Sequence, residues 1–316
     1  MSQEIFRKDV LEGLSKAGQK TLPSKYFYDK KGDELFVQIM NMQEYYLTDA
    51  EMDIFKNKTL ELIEALCIDK KQKFELIELG PGDGSKSIHL LRYLLSENYD
   101  FRYFPVDISQ NALEGLVNTL GKKLPELEVK PQQGDYFEKL KQLHKTTIPK
   151  ILMVLGSNIG NLRDQQAADF IYQLGENLTP GDKILLGVDL IKKKEIILPA
   201  YNDPNGITAA FNLNLLERIN RELDADFDVK HFKHIAIYEE EEGIAKSYLK
   251  SLIVQTVKVG SRQFHFNKGE TIHTEISRKY NDLIMEQILT DTDIRIHKKI
   301  MDSQGYFADY ILIRNG

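Results

Sequence analysis

An α/β fold built on a mostly parallel sheet is predicted by three observations. Between Phe74 and about Leu190, apolar runs of strand length alternate with helical repeats. Within that region, Phe74-Glu-Leu-Ile-Glu-Leu-Gly-Pro-Gly-Asp-Gly-Ser-Lys86 passes from a short apolar run through three alternate glycines, Gly80, Gly82 and Gly84. A helical pattern follows (Ile88, Leu90, Leu91, Leu94, Leu95), so the order is strand, glycine turn, helix. Near the C-terminus, Ile294–Ile300, a turn at Asp302-Ser-Gln-Gly305 and Phe307–Ile313 read as a closing hairpin. Five parallel strands followed by a closing hairpin are therefore expected.

Taken in order, residues 1 to about 50 look helical, with apolar repeats at Phe6, Val10, Leu11 and Leu14 and again at Leu35, Phe36, Ile39 and Met40. Between them lies the aromatic cluster Leu22-Pro-Ser-Lys-Tyr-Phe-Tyr28, and Tyr45-Tyr46 follows. Clustered tyrosines are ordinarily amphipathic packing. A helix is expected from about Ala50 to Leu66. The parallel strands are expected at Phe74–Leu79, Phe101–Val106, Leu127–Pro131, Ile151–Leu155 and Ile184–Val188, with helices that include Asn111–Leu120 and Gln165–Leu174. Runs such as Ile-Leu-Met-Val-Leu155 are apolar throughout, as strands buried on both faces should be.

From about Ile191 the rhythm changes. A helix at Ala209–Leu223 precedes period-two segments, Tyr248–Val259 and Gln263–Phe266, which read as antiparallel strands joined at Val259-Gly-Ser-Arg262. The expected division is one domain from 50–190 and 279–316, and a second, smaller α+β domain from 1–49 and 191–278.

The 316 residues are 42% apolar and 28% charged, with a net charge of −6, so nothing favours a nucleic-acid partner. Cys67 stands alone, which excludes an internal disulfide and a multi-cysteine zinc site. No signal-like segment opens the chain, and no run approaches the ~18 apolar residues of a membrane span. A cytoplasmic monomer without a metal is expected.

The glycine turn departs from the dinucleotide fingerprint. Its glycines run G-x-G-x-G, Glu78 sits two residues before the first, and Asp83 lies inside the loop. Carboxylates there would repel a pyrophosphate but suit a cationic ligand such as S-adenosylmethionine (SAM). Asp107, in Pro105-Val-Asp107, ends the second strand 23 residues after Gly84, where an acid can accept from both ribose hydroxyls of an adenosine; it could equally be a strand-end or capping acid. Asp135 and Tyr136, in Gly134-Asp-Tyr136, offer an acceptor for an adenine amino group beside an aromatic wall, or a plain surface turn. Leu155-Gly-Ser-Asn-Ile-Gly-Asn161 presents carbonyls and amides at a strand's carboxyl end, facing the cofactor's reactive group. Glu275 and Ser277 share one face of an extended segment, although spacing alone favours an edge-strand acid. His231 and His234 are read as surface histidines rather than metal ligands, and Lys192-Lys-Lys-Glu195 as a solvated face.

Together these stretches resemble the SAM-dependent histidine Nα-methyltransferases of ergothioneine biosynthesis. The likeness is carried by Pro23-Ser-Lys-Tyr-Phe-Tyr-Asp29, Glu44-Tyr-Tyr-Leu-Thr48, Glu78–Lys86, Leu155–Asn161, Gly187-Val-Asp-Leu190, Ala200-Tyr-Asn-Asp203 with Thr208-Ala-Ala-Phe-Asn212, and Thr274-Glu-Ile-Ser-Arg-Lys279. It implies a Rossmann-like class I methyltransferase sheet of seven strands, the last inserted antiparallel, and a second, smaller α+β substrate-binding domain. It also implies that Gly80, Gly82, Lys86, Asp107, Asp135 and Tyr136 hold SAM. Asn161 and Tyr201 would bind the amino acid's α-carboxylate, while Tyr28 and the Gly156 carbonyl would lie near its α-amine. Tyr45, Glu275 and Ser277 would read an imidazole. Ser247 stands where the family has a methionine lining the side-chain pocket, and Asn158 where it has a threonine. The implied product is Nα,Nα,Nα-trimethylhistidine. The alternatives are another amino-acid acceptor such as tryptophan, and a non-catalytic SAM or amino-acid binder on the same fold.

Overall fold

Phe74–Leu79 is buried along its whole length, as a strand must be when neighbours flank both edges and helices cover both faces. In the computed structural model, which describes residues 3–143 and 146–316, this strand is β1 of a seven-stranded sheet. The others are β2 (Phe101–Asp107), β3 (Gln132–Gln133), β4 (Lys150–Val154), β5 (Lys183–Asp189), β6 (Ile294–Met301) and β7 (Phe307–Arg314). Their spatial order is β6-β7-β5-β4-β1-β2-β3. Strands β1 to β5 run parallel, and β7 inserts antiparallel beside β5 with Tyr310 opposite Leu186. Because β1 lies between β2 and β4, the chain winds one way from β1 and then the other, and the carboxyl ends there form the switch point where α/β sheets bind ligands.

This sheet belongs to a unit made of Leu47–Ile191 and Lys279–Gly316. Its core joins Ile77, Leu152, Leu186 and Leu312 from the strands to Ile171 and Met285 from helices Asp164–Gly175 and Asp282–Leu289. Local signals start its helices: Ser109 accepts from the Ala112 N–H ahead of Gln110–Lys123, and Asn281 from the Ile284 N–H ahead of Asp282–Leu289.

The second unit takes the chain up to Tyr46 together with Lys192–Arg278. It holds a four-stranded sheet in the order Lys20–Thr21, Thr271–Arg278, Ile244–Ser251, Phe232–Glu239, and the separate hairpin Gln255–Val259 with Arg262–Phe266. Phe27, Phe211, Leu215, Leu249, Phe266 and Ile272 pack in its core. Asp29 caps helix Lys30–Met40 through the Gly32 N–H, while Asn214 and Arg221 of helix Ile207–Leu223 bind the same carboxylate. Asp203 caps that second helix by accepting from the Ile207 and Thr208 N–H groups.

Several expectations are corrected. The third parallel strand is Gln132–Gln133, preceded by a single bridge from Tyr103 to Val129, rather than Leu127–Pro131; Pro131 has no N–H to give, and this is the sheet's edge. The run expected as one strand, Tyr248–Val259, breaks after Ser251, whose buried hydroxyl donates to the Ile253 carbonyl, and its halves join different sheets. The helix expected over Ala50–Leu66 is two, Tyr46–Asn57 and Thr59–Leu66, divided at Lys58. Phe232–Glu239 is a strand, and its His234 is buried rather than on the surface. No grouping of three or more metal-ligating side chains occurs among the described residues, and none of the described helices is long and apolar enough to cross a membrane.

Candidate active site

The glycine turn follows β1 at the switch point. The Gly80 N–H donates to the Val106 carbonyl of β2. Its φ is +64°, and a Cβ there would stand 2.7 Å from the Tyr136 hydroxyl oxygen, so the position requires glycine on both counts. This close approach brings Tyr136 against the turn. Burial pushes the Tyr136 phenol up to about 12, with Asp107 and then Asp135 adding to the effect, so those two carboxylates face the same ring.

Asp107 is half-exposed at the end of β2, and one of its oxygens accepts from the Ser109 N–H at 2.8 Å. Asp135 is exposed and accepts from the Phe137 and Glu138 N–H groups, so it starts helix Tyr136–Leu143. Gly80, Asp107, Asp135 and Tyr136 are therefore neighbours, and Gly82 is exposed with open space around its Cα. Glu78 behaves differently from the sequence argument. It is buried within the sheet, accepts from the Tyr103 hydroxyl at 2.5 Å, and burial pushes its carboxyl up to about 7. Asp83 is the acid exposed in the turn, where it accepts from the Ser85 N–H.

After β4 the chain turns through two consecutive left-handed residues, Gly156 (φ +77°) and Ser157 (φ +56°). The second is strained for a residue with a side chain. The Ser157 hydroxyl accepts from the Asp189 N–H, and the Tyr280 hydroxyl donates to the Ile159 carbonyl. Asn161 closes the short 3-10 turn Asn158–Asn161 and is exposed.

Six of the expected residues lie in the other unit: Tyr28, Tyr45, Tyr201, Ser247, Glu275 and Ser277. A β-bulge in Thr271–Arg278, between His273 and Glu275, sets the register. Bulges re-aim side chains in this way. Beyond it Glu275 pairs with Ser247, whose hydroxyl donates to the Glu275 carboxylate at 3.3 Å. The Tyr201 hydroxyl donates to the Ser277 hydroxyl at 2.8 Å. The bulged Thr274 turns inward, donating to Asn212 and to the Ser247 carbonyl, so part of the Thr208–Asn212 motif is structural.

Tyr28 and Tyr45 both set their rings edge-on to Phe36, at 5.5 and 6.4 Å between centroids. Tyr28 is 44% exposed as a residue. Even so, desolvation around its phenol, with Glu275, Asp33 and Tyr201 nearby, holds the proton above the ordinary tyrosine value. Lys192 is less solvated than its run suggests: its ammonium lies 4.5 Å from the Tyr46 ring centroid and donates to the Tyr46 hydroxyl.

Sequence reading missed Glu51, which is 1% exposed and accepts from both the Gly156 N–H and Lys86. The signal was available, because Glu51 falls among Leu47, Ala50, Ile54 and Phe55 on the apolar stripe of its helix. An acid on such a stripe needs a buried partner.

A single antiparallel strand inserted in an otherwise parallel inner sheet is foreign to all-parallel nicotinamide folds. Combined with acids and an aromatic ring around a glycine turn, it makes this chain a class I, Rossmann-like, SAM-dependent methyltransferase. A family model described as histidine-specific methyltransferase, SAM-dependent, matches residues 6–314. A histidine N-alpha-methyltransferase of Mycolicibacterium smegmatis is 35% identical over 98% of this chain and 95% of its own. One from Mycobacterium tuberculosis is 38% identical over 87% of this chain and 84% of its own. The chain belongs to the histidine-specific, SAM-dependent methyltransferase family. Among solved structures, the mitomycin 7-O-methyltransferase MmcR superposes with a TM-score of 0.50 at 13% identity, over 99% of this chain and 69% of its own, a likeness of fold alone.

Proposed function

We propose that this enzyme methylates the α-amino group of free L-histidine in three rounds, giving Nα,Nα,Nα-trimethylhistidine. The observation that carries the reading is the hydroxyl-rimmed carboxylate formed by Glu275, Ser247 and Ser277 of one sheet together with Tyr201, the last residue of helix Lys194–Tyr201. An imidazole donates and accepts at once, and a carboxylate beside hydroxyls answers both needs. The family match supports the same acceptor.

SAM, when bound, supplies a methyl group made electrophilic by its sulfonium. In this reading Asp107 takes the ribose hydroxyls, Asp135 the adenine amino group and Lys86 the cofactor's carboxylate, with Gly80, Gly82 and Tyr136 shaping the cradle. The donor set fits: acids and an aromatic ring surround the turn, as a cationic nucleoside requires. For the acceptor, the sheet-bearing unit offers Asn161 to a carboxylate and the Gly156 carbonyl to an amine, while the second unit offers Tyr201 to a carboxylate, Tyr28 to an amine, and Tyr45, Glu275 and Ser277 to the ring. Tyr201 gives its hydroxyl proton to Ser277 in the free protein, so a bound carboxylate competes with Ser277 for it.

The amine must be neutral to attack in line, and most of the acceleration then comes from holding it against the methyl. Tyr28 keeps its proton at neutral pH, so it orients the amine by hydrogen bonding, and water carries the proton away. Incubation with SAM and each of the twenty amino acids, read by mass spectrometry, tests this. A gain of 42 mass units (roughly three methylene equivalents) on histidine is expected; a gain stopping at one methyl group, or a different preferred acceptor, rejects it. One observation favours a second reading with a larger acceptor such as tryptophan: Ser247, 1% exposed, leaves the side-chain site more polar and less filled than a methionine would. Ser247→Met would then lower kcat/KM for tryptophan relative to histidine.

A further inference from the structure

Two carboxylates without a role in the scheme above, Glu51 and Asp309, lie beside Lys86 inside the sheet-bearing unit. Glu51 receives the Gly156 N–H on both carboxylate oxygens, at 2.9 and 3.0 Å, and pairs with the Lys86 ammonium. Asp309 of β7 lies fully buried beside them. Burial first, and then Glu51, push the Asp309 carboxyl well above the ordinary range, while Lys86 opposes the shift. Of the two carboxylates, it is Glu51 that pairs directly with Lys86. Gly187 on β5 accommodates the pair: a Cβ there would overlap the Glu51 carboxylate and stand 3.0 Å from Asp309 Oδ1.

The far side of the same peptide is held as well. Asn158 Nδ2 donates to the Leu155 carbonyl at 3.1 Å, so the Leu155–Gly156 peptide plane is fixed from its N–H and its C=O. A left-handed Ser157 follows directly, a conformation that persists only where surrounding contacts over-determine it.

We propose that Glu51 is a positioning residue for methyl transfer, fixing the Leu155–Gly156 peptide of the candidate acceptor loop and the Lys86 side chain of the cofactor turn with one buried carboxylate. The inference rests on the roles proposed for Gly156 and Lys86. Lysine has three N–H donors, so its bond to Glu51 leaves two for a ligand. The Gly156 carbonyl can aim at an amine only while the preceding peptide keeps its plane, and a misplacement of about 1 Å costs on the order of 100-fold in rate.

The test compares Glu51→Ala with Glu51→Gln, which keeps an oxygen able to accept the Gly156 N–H. In ligand-free protein, hydrogen exchange at the Gly156 amide should speed up at least tenfold in Glu51→Ala and less than fivefold in Glu51→Gln. With SAM and histidine saturating, kcat should fall at least thirtyfold in Glu51→Ala and less than fivefold in Glu51→Gln, with KM for histidine within threefold of wild type in both. A merely structural role would lower Tm and leave exchange at Gly156 and kcat of the folded fraction unchanged, which overturns the proposal. Should Glu51→Ala not fold, Glu51→Leu, which fills the space but offers no acceptor, takes its place, and exchange at Gly156 within threefold of the wild-type rate in that variant overturns the proposal. SAM titration of wild-type protein by calorimetry separates the two readings: absence of binding refutes the cofactor roles, whereas binding with unaltered Glu51 variants refutes this inference alone.

Discussion

His234 should withdraw its own contribution to stability as pH falls from neutral, a loss read as a difference between wild type and a variant without the imidazole. It sits in strand Phe232–Glu239 at 4% exposure, and neither ring nitrogen has a hydrogen-bond partner among the described residues. Burial lowers its pKa from 6.5 to about 4, while the Asp203 carboxylate partly opposes the shift. The unfolded chain therefore takes up a proton near pH 6.5 that the folded chain refuses until about pH 4. Stability is fully present above pH 6.5 and falls as pH drops, with the loss complete below about pH 4. At 1.36 kcal/mol per pH unit, the interval is worth about 3 kcal/mol, a large share of a typical 5–15 kcal/mol (roughly) for a folded protein. Urea unfolding, followed by circular dichroism because the chain has no tryptophan, measures it at pH 7.5, 5.5 and 4. His234→Phe removes the titration, so its stability should decline by about 3 kcal/mol less than wild type across that range. Parallel declines in the two proteins would refute the reasoning, whatever their absolute stabilities.

Asp107→Ala should weaken SAM binding about 10- to 100-fold in calorimetry, the equivalent of about 1.5–3 kcal/mol for hydrogen bonds to a charged group. Tm should change little, because within the protein this carboxylate accepts from the Ser109 N–H two residues on, an exposed local bond that water can replace. Tyr28→Phe should lower kcat without moving the pH–rate profile between pH 7 and 9, since the phenol holds its proton throughout; a lost basic limb would instead identify Tyr28 as the base. Asp29→Ala removes a helix cap and leaves Asn214 and Arg221 without their shared carboxylate, so denaturant unfolding should show a loss of about 2–3 kcal/mol.

The amino-acid order by itself determined the seven-strand rhythm, the glycine turn after Phe74–Leu79 and the antiparallel closing strand. Hydrophobic period and turn chemistry are local properties, readable within a dozen residues. Asp107, the acid that ends its strand, was legible for the same reason, because the strand end is marked by where the apolar run stops; Asp135 follows Gln132–Gln133, whose polar residues carry no such mark. Tertiary structure alone decided the rest. The break after Ser251 depends on that hydroxyl being buried and bonded, which period-two alternation does not encode. The bulge before Glu275 sets which strand residue faces Ser247, 28 positions away. The contact between Glu51 and Gly156 spans 105 residues and exists because β4 and the Tyr46–Asn57 helix pack in one unit. Each of these is a buried polar group whose partner is chosen by packing, and the need for a partner is visible in sequence while the partner's identity is not.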